Sequence, residues 1–252
     1  METADYLQLI GFGAGGWGGR LLAGAGLTLA VAVCGFILAL VIGALGAWCK
    51  IRGNAMVRLL TDLYTTALRG VPDLLVIYLV YFGSSALLTD VGHFFAANGF
   101  ISLPGFVAGT IAIGVVGGAL CTEVLRGGFS VVPTGELEAA MAFGMSPATC
   151  FRRVLAPLLL RSAMPGLGNV WLSLLKDSSL LSATGIIELM RATQVAADST
   201  HMPFDFYLTA AAIYVLMAII SGLLLRRAER HYSRGVRGTG TRATQALGGV
   251  KP

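Results

Sequence analysis

Charge is scarce in this chain. Only 12% of its 252 residues are Asp, Glu, Lys or Arg, about half of what soluble domains carry. Histidine is scarcer still: His93, His201 and His231 stand alone, and no Cys/His cluster has metal-ligand spacing. That excludes a metal centre built from local motifs. The four cysteines do not describe a disulfide framework, because Cys34 and Cys121 lie inside apolar runs while Cys49 and Cys150 sit beside basic residues. Such scattered cysteines behave as small hydrophobes. No Gly-x-x-x-x-Gly-Lys-Ser/Thr phosphate loop occurs, so the chain is not expected to bind ATP itself. A nucleophile–base constellation with usable spacing is also missing, which argues against a membrane enzyme.

What the chain has instead is apolar length. Hydrophobic residues make up 56% and the mean hydropathy is +0.77. A helix needs about 20 apolar residues to cross a hydrocarbon core about 30 Å thick. Five stretches qualify: Leu21–Trp48, Leu59–Phe82 (interrupted), Phe106–Leu125, Pro165–Ile187 (interrupted) and Phe206–Leu225. The start carries Glu2 and Asp5 with no Lys or Arg, so it does not read as a cleaved signal. The expected fold class is therefore an all-α integral membrane protein with five transmembrane helices. Residues 1–20 form an outside segment, 21–230 the membrane domain, and 231–252 an Arg/Gly/Thr-rich tail too polar to bury a core and expected to be disordered.

The basic residues sort by side. Lys50, Arg52, Arg58 and Arg69 follow the first span. Arg126, Arg152, Arg153 and Arg161 flank or lie in the loop at residues 130–160. Arg226, Arg227, Arg230, Arg234, Arg237, Arg242 and Lys251 follow the last span. Arg20 and Arg191 fall opposite, and Lys176 lies within a span. Fifteen of the 18 basic residues thus sit on alternate connections. The positive-inside rule then puts the N-terminus outside and both the 130–160 loop and the C-terminus in the cytoplasm. Basic residues spread over several loops do not form a nucleic-acid surface, and the expected surroundings are membrane lipid.

Local signals refine each segment. Gly11–Gly19 with Trp17 suits an interfacial anchor. Gly35, Ala39, Gly43 and Ala47 recur every four residues, a stripe that admits a close neighbour, either within this chain or in another subunit. Gly70-Val71-Pro72 predicts an interfacial helix, a kink near Pro72 and a crossing after it, because proline lacks a donor and biases its predecessor away from helix. Ser84–Pro104 is then an outside loop. Arg69, Pro72 and Asp73 read as architectural. In the 130–160 loop, Thr134 is expected to cap a short helix with Glu136 in its first turn and Glu138 just beyond. Leu137, Ala140, Met141 and Gly144 define one face, Gly144 ends that helix, Ser146 and Pro147 open a second, and Pro157 ends the second. Glu123, Asn169, Lys176, Asp177 and Ser178 bring polarity to membrane depth. Charges there persist where they pair or face a polar cavity. Glu123 with Arg126 three residues on is one local pairing.

The run Glu138-Ala139-Ala140, three residues, Gly144, nine residues, Val154-Leu155-Ala156-Pro157 resembles the signature loop of ABC importer permeases, with Val154 where that pattern has Ile and Ala156 where it has Leu. Arg69-Gly70-Val71-Pro72, Glu123-Val124-Leu125-Arg126-Gly127-Gly128, Phe151-Arg152-Arg153, Met164-Pro165-Gly166-Leu167-Gly168-Asn169 and Leu175-Lys176-Asp177-Ser178-Ser179-Leu180 are similar to the polar amino acid branch. Within it, the match is to Q-type permeases of the histidine/arginine/ornithine/opine importers. The resemblance covers residues 20–232 or so. It implies a type I importer permease fold and a transport subunit that is not an enzyme. It also implies a homologous second permease forming a heterodimer, a dimer of ATP-binding subunits that holds the ATP and Mg, and a periplasmic amino-acid-binding protein. The location implied is the bacterial inner membrane. Glu138, Ala139, Gly144, Arg152, Arg153 and Pro157 would couple to the ATPase. Glu123, Asn169, Lys176, Asp177 and Ser178 would line the path. Lys176 with Asp177 could instead pair with the second permease.

Overall fold

The computed structural model describes residues 9–13, 15–94 and 103–232. Among them every regular element is helical. Helix α1 spans Gly18–Arg52. At 35 residues it is about 52 Å long at 1.5 Å per residue, more than a hydrocarbon core requires. Trp17 precedes it, edge-on to Phe206 and beneath the Arg20 guanidinium at 4.6 Å. Helix α2 (Ala55–Gly70) opens on Asn54, whose side chain accepts from Val57 N–H at 2.9 Å. Helix α3 (Asp73–Phe94) and helix α4 (Gly105–Ser130) follow. Next come two short helices, α5 (Thr134–Ala142) and α6 (Pro147–Cys150), and a π-helical turn at Phe151–Leu155. Helix α7 (Ala156–Asp177) then runs into a 3-10 turn, Ser178–Thr184, before α8 (Leu189–Thr200) and α9 (Pro203–Tyr232).

Five helical stretches among the described residues are long and apolar enough to cross a membrane: Gly18–Arg52, Asp73–Asp90, Gly105–Ser130, Pro147–Thr184 and Pro203–Arg227. The first, third and fifth match the expected spans. The second begins at Asp73 rather than Leu59, since Val71 is extended (φ −98°, ψ 137°) and Pro72 separates α2 and α3 into two helices instead of kinking one. The fourth helix starts nine residues before Pro165 and continues through it. The expected outside loop Ser84–Pro104 is corrected over its first half, where α3 continues to Phe94. Ser84 and Ser85 return their hydroxyls to Tyr81 O (3.0 and 3.1 Å), and Thr89 returns its own to Ser85 O (2.8 Å). Polar side chains satisfied this way do not end a helix. Residues 1–8, 14, 95–102 and 233–252 lie outside the described residues, so the expected tail beyond Tyr232 and the first eight residues of the outside segment do too.

The small-residue stripe of α1 packs within the chain. Gly35, Ala39, Gly43 and Ala47 are all buried, against α4 residues that include Ile113 and Cys121. Gly43 is the tightest point of the stripe. A Cβ there would lie 2.4 Å from Cys121 Cβ and 3.0 Å from Cys121 C. Helices α7, α8 and α9 pack against this pair: Leu167, Val170 and Leu174 join the α1–α4 core, while Phe206 and Leu189 gather around Leu21.

A buried polar knot ties α1, α8 and α9 together. Glu188, fully buried, caps α8 by accepting from Arg191 N–H (2.8 Å) and Met190 N–H (2.9 Å). Tyr214 Oη of α9 donates to the same carboxylate at 3.1 Å, and Thr28 Oγ1 of α1 stands 3.2 Å from it. Leu189 N–H donates to Thr28 Oγ1 at 3.1 Å. Burial pushes the Glu188 carboxyl above the usual carboxylate range, and the four hydrogen bonds oppose that rise. A carboxyl raised on folding contributes stability that is present below its unfolded pKa and lost as pH rises through the folded value.

Two outcomes follow, both read as thermal unfolding in detergent. Gly43→Leu lowers stability by about 1–3 kcal/mol through overpacking, whereas Gly26→Ala, whose methyl meets open space, does not. Glu188→Ala costs about 1–3 kcal/mol by orphaning buried donors. It also removes the part of the stability that declines with rising pH.

Candidate functional site

The segment joining α4 to α7 is mostly exposed and has a defined backbone. Pro133, extended at φ −64° and ψ 125°, turns the chain out of α4, and its carbonyl accepts from Glu136 N–H at 3.2 Å. Thr134 is the first residue of α5 and not its cap, because Pro133 occupies the flanking position and no side chain caps this helix. Glu136 sits in the first turn, where the helix dipole favours it. The C-terminus closes as a Schellman motif: Gly144 N–H donates to Met141 O (2.9 Å) and Met145 N–H to Ala140 O (3.2 Å). Gly144 has φ +79°, in the left-handed region that favours glycine. Ser146 then accepts from Thr149 N–H at 3.4 Å, with Pro147 in the first turn of α6.

Pro157 does not end the second helix. The run from Pro147 continues through the π turn, where Ala156 N–H reaches Phe151 O, and Pro157 falls in the first turn of α7. Its missing N–H and its ring would clash with a regular α-helical register. The widened turn immediately before it takes up the mismatch.

The expected coupling residues Glu138, Ala139, Gly144, Arg152, Arg153 and Pro157 are all exposed. Ala140 and Cys150 are buried and anchor the short helices. The expected single face of Leu137, Ala140, Met141 and Gly144 therefore splits, for Met141 is 54% exposed while Ala140 is covered. Phe143, absent from the sequence reading, is the most prominent apolar group here, 87% exposed directly before the Gly144 turn. A large apolar residue next to a helix-ending glycine was the signal for it.

The polar residues at membrane depth separate into two groups. Glu123 on α4 is committed within the chain: Oε2 accepts from Arg126 Nε (3.0 Å) and Nη2 (2.9 Å), and Oε1 accepts from Lys50 Nζ. Asn169 and Lys176, seven residues apart on α7, are both exposed. Asp177 is half-buried, and the buried Ser178 hydroxyl donates to Leu175 O at 2.7 Å. Among the described residues no ion pair reaches Lys176 or Asp177. Lys176 instead borders an open cavity of about 290 Å³ with Ser179, Met190, Tyr207 and Tyr214. The two tyrosines had no sequence signal, because α9 reads as a uniform apolar run. Arg69 and Pro72 are exposed at the α2–α3 break and Asp73 opens α3. Among the described residues no group of three or more His, Cys, Asp or Glu could hold a metal.

Residues 35–238 match the family model described as binding-protein-dependent transport system inner membrane component. The chain is 50% identical over 232 residues to the octopine transport system permease protein OccQ of Rhizobium meliloti, covering 92% of this chain and 98% of that one. It is 40% identical over 222 residues to the histidine/lysine/arginine/ornithine transport system permease protein HisQ of Escherichia coli (strain K12), covering 88% and 97%. A crystal structure of an amino acid ABC transporter with histidines superposes with a TM-score of 0.73 at 26% identity, over 92% of this chain and 99% of that one.

Proposed function

This chain belongs to the family of binding-protein-dependent transport system inner membrane components, and from that membership we propose that it carries opines or basic amino acids such as histidine, arginine, lysine or ornithine. It is an integral membrane permease subunit of an ABC importer for polar amino acids, not an enzyme. The observation that carries the coupling part of the reading is the α5–α6 segment. It is held by a Schellman turn and a Ser146 cap, yet presents Glu138, Ala139, Gly144 and Phe143 outward. A rigid exposed helix pair with small residues and one aromatic knob fits a groove on a partner.

That partner is an ATP-hydrolysing subunit, present as a dimer, which holds the ATP and Mg. A homologous second permease completes the path, and a periplasmic binding protein delivers the cargo. Charge sorting supports an N-terminus outside with the α5–α6 segment and the C-terminus in the cytoplasm. The similarity to octopine and histidine/lysine/arginine/ornithine permeases supports the cargo class. So does the path chemistry: Lys176 and Asn169 suit an α-carboxylate, while Asp177 and the rings of Tyr207 and Tyr214 suit a cation. Ser178 lies beside them with its hydroxyl turned inward. Glu123 falls outside the path, since its carboxylate is already engaged.

Gly144→Asp abolishes ATP-driven uptake while the complex remains assembled in the membrane; unchanged uptake with normal ATPase stimulation would refute the coupling role. Competition of radiolabelled arginine uptake by histidine, ornithine and octopine reads out the cargo class. Failure of all three to compete would exclude it.

A further inference from the structure

Helix α2 is held in an unusual way. Among the described residues it buries only Thr65, while Met56, Leu59, Leu60 and Leu63 are exposed. Apolar packing within the chain therefore does little to fix its position. Polar contacts do that instead. Tyr64 Oη donates to Val115 O of α4 at 2.6 Å. Lys50, at the end of α1 and with a side chain 6% exposed, joins three groups at once. Its ammonium donates to Thr65 Oγ1 (2.7 Å) and to Glu123 Oε1 of α4, and it is ion-paired with Asp62 Oδ1 at 2.7 Å. Glu123 in turn holds Arg126, in the final stretch of α4 before the exposed segment.

We propose that Lys50, Asp62 and Glu123 are positioning residues that transmit movement of the α5–α6 segment to α2 and so to the α2–α3 break at Val71-Pro72. This rests on the coupling role proposed above. Displacement of α5 acts on the last turns of α4, which carry Glu123 and Arg126. The buried lysine converts that displacement into motion of α2, because no extensive apolar interface would otherwise drag α2 along. The α2–α3 break then lets α2 move with less disturbance of α3, since Pro72 has already removed the continuous helical hydrogen bonding there.

The test uses the assembled transporter in proteoliposomes, with ATP hydrolysed per amino acid imported as the readout. Asp62 is about half exposed, so Asp62→Asn leaves the fold intact. It is expected to raise that ratio several-fold, within the range of ordinary coupling effects. The double variant Lys50→Met with Glu123→Met removes the buried ammonium together with its part-buried carboxylate partner, so neither is left in the interior without the other and the thermal midpoint is preserved. Asp62 and Arg126, each about half exposed, lose these partners but stay solvated. The ratio of the double variant is expected to rise on the order of tenfold. A network that only braced the fold would give a parental ratio in both variants, and that result overturns the proposal. Should the double variant fail to assemble, a parental ratio in Asp62→Asn alone does so. A parent transporter with no ATP-driven uptake refutes the coupling role itself and this inference with it.

Discussion

The close approach of α1 to α4 is the constraint on which the rest of the molecule depends. Lipid tails are as apolar as leucine, so a bilayer offers helices little hydrophobic reason to associate, and backbone proximity has to supply the attraction. Gly43 provides it by leaving no room for a methyl against Cys121. With that contact set, the register along both helices is set too. Ala47 and Lys50 follow Gly43 at four and seven residues, on the same face of α1, and Glu123 follows Cys121 by two on α4. The ion pair between Lys50 and Glu123 is thus a consequence of where the small residues sit. A side chain at Gly43 would slide the helices and pull the charges apart.

Polar groups are distributed by task. Those that hold the fold are buried and engaged: Lys50 with two acceptors and an ion pair to Asp62, Glu188 with donors from α8, α9 and α1. Groups proposed to meet a partner or a cargo are left open, including Lys176, Asp177, Glu138 and the two arginines after Phe151. Leaving a charge unengaged at membrane depth is costly unless water, cargo or another subunit meets it. Open polar groups in a chain this apolar are therefore informative about what lies beyond it.

The transport class was legible in the spacing from Glu138 to Pro157, and some positions in it have a local structural duty, Gly144 at φ +79° being the clearest. The misreadings share one cause. Local propensity ends the second short helix at Pro157 and opens a loop at Ser84–Pro104, yet a π turn carries the chain past Pro157 and back-bonded hydroxyls carry α3 past the serines. Such rescues are made by neighbouring backbone that propensity does not see.

By itself, the sequence determined that the chain is helical and membrane-embedded, with about five spans, and that two short helices joined at Gly144 lie in the 130–160 segment. Hydrophobic run length, capping residues and proline are local properties and need no partner to act. Only the tertiary structure decided which polar residues are spent and which are free. Glu123 and Asp177 look alike in sequence, each acidic and each near a basic neighbour. One is engaged by Lys50, 73 positions away in the chain, and the other is not. That difference depends on which helix packs beside which, and side-chain spacing along one helix carries no record of it.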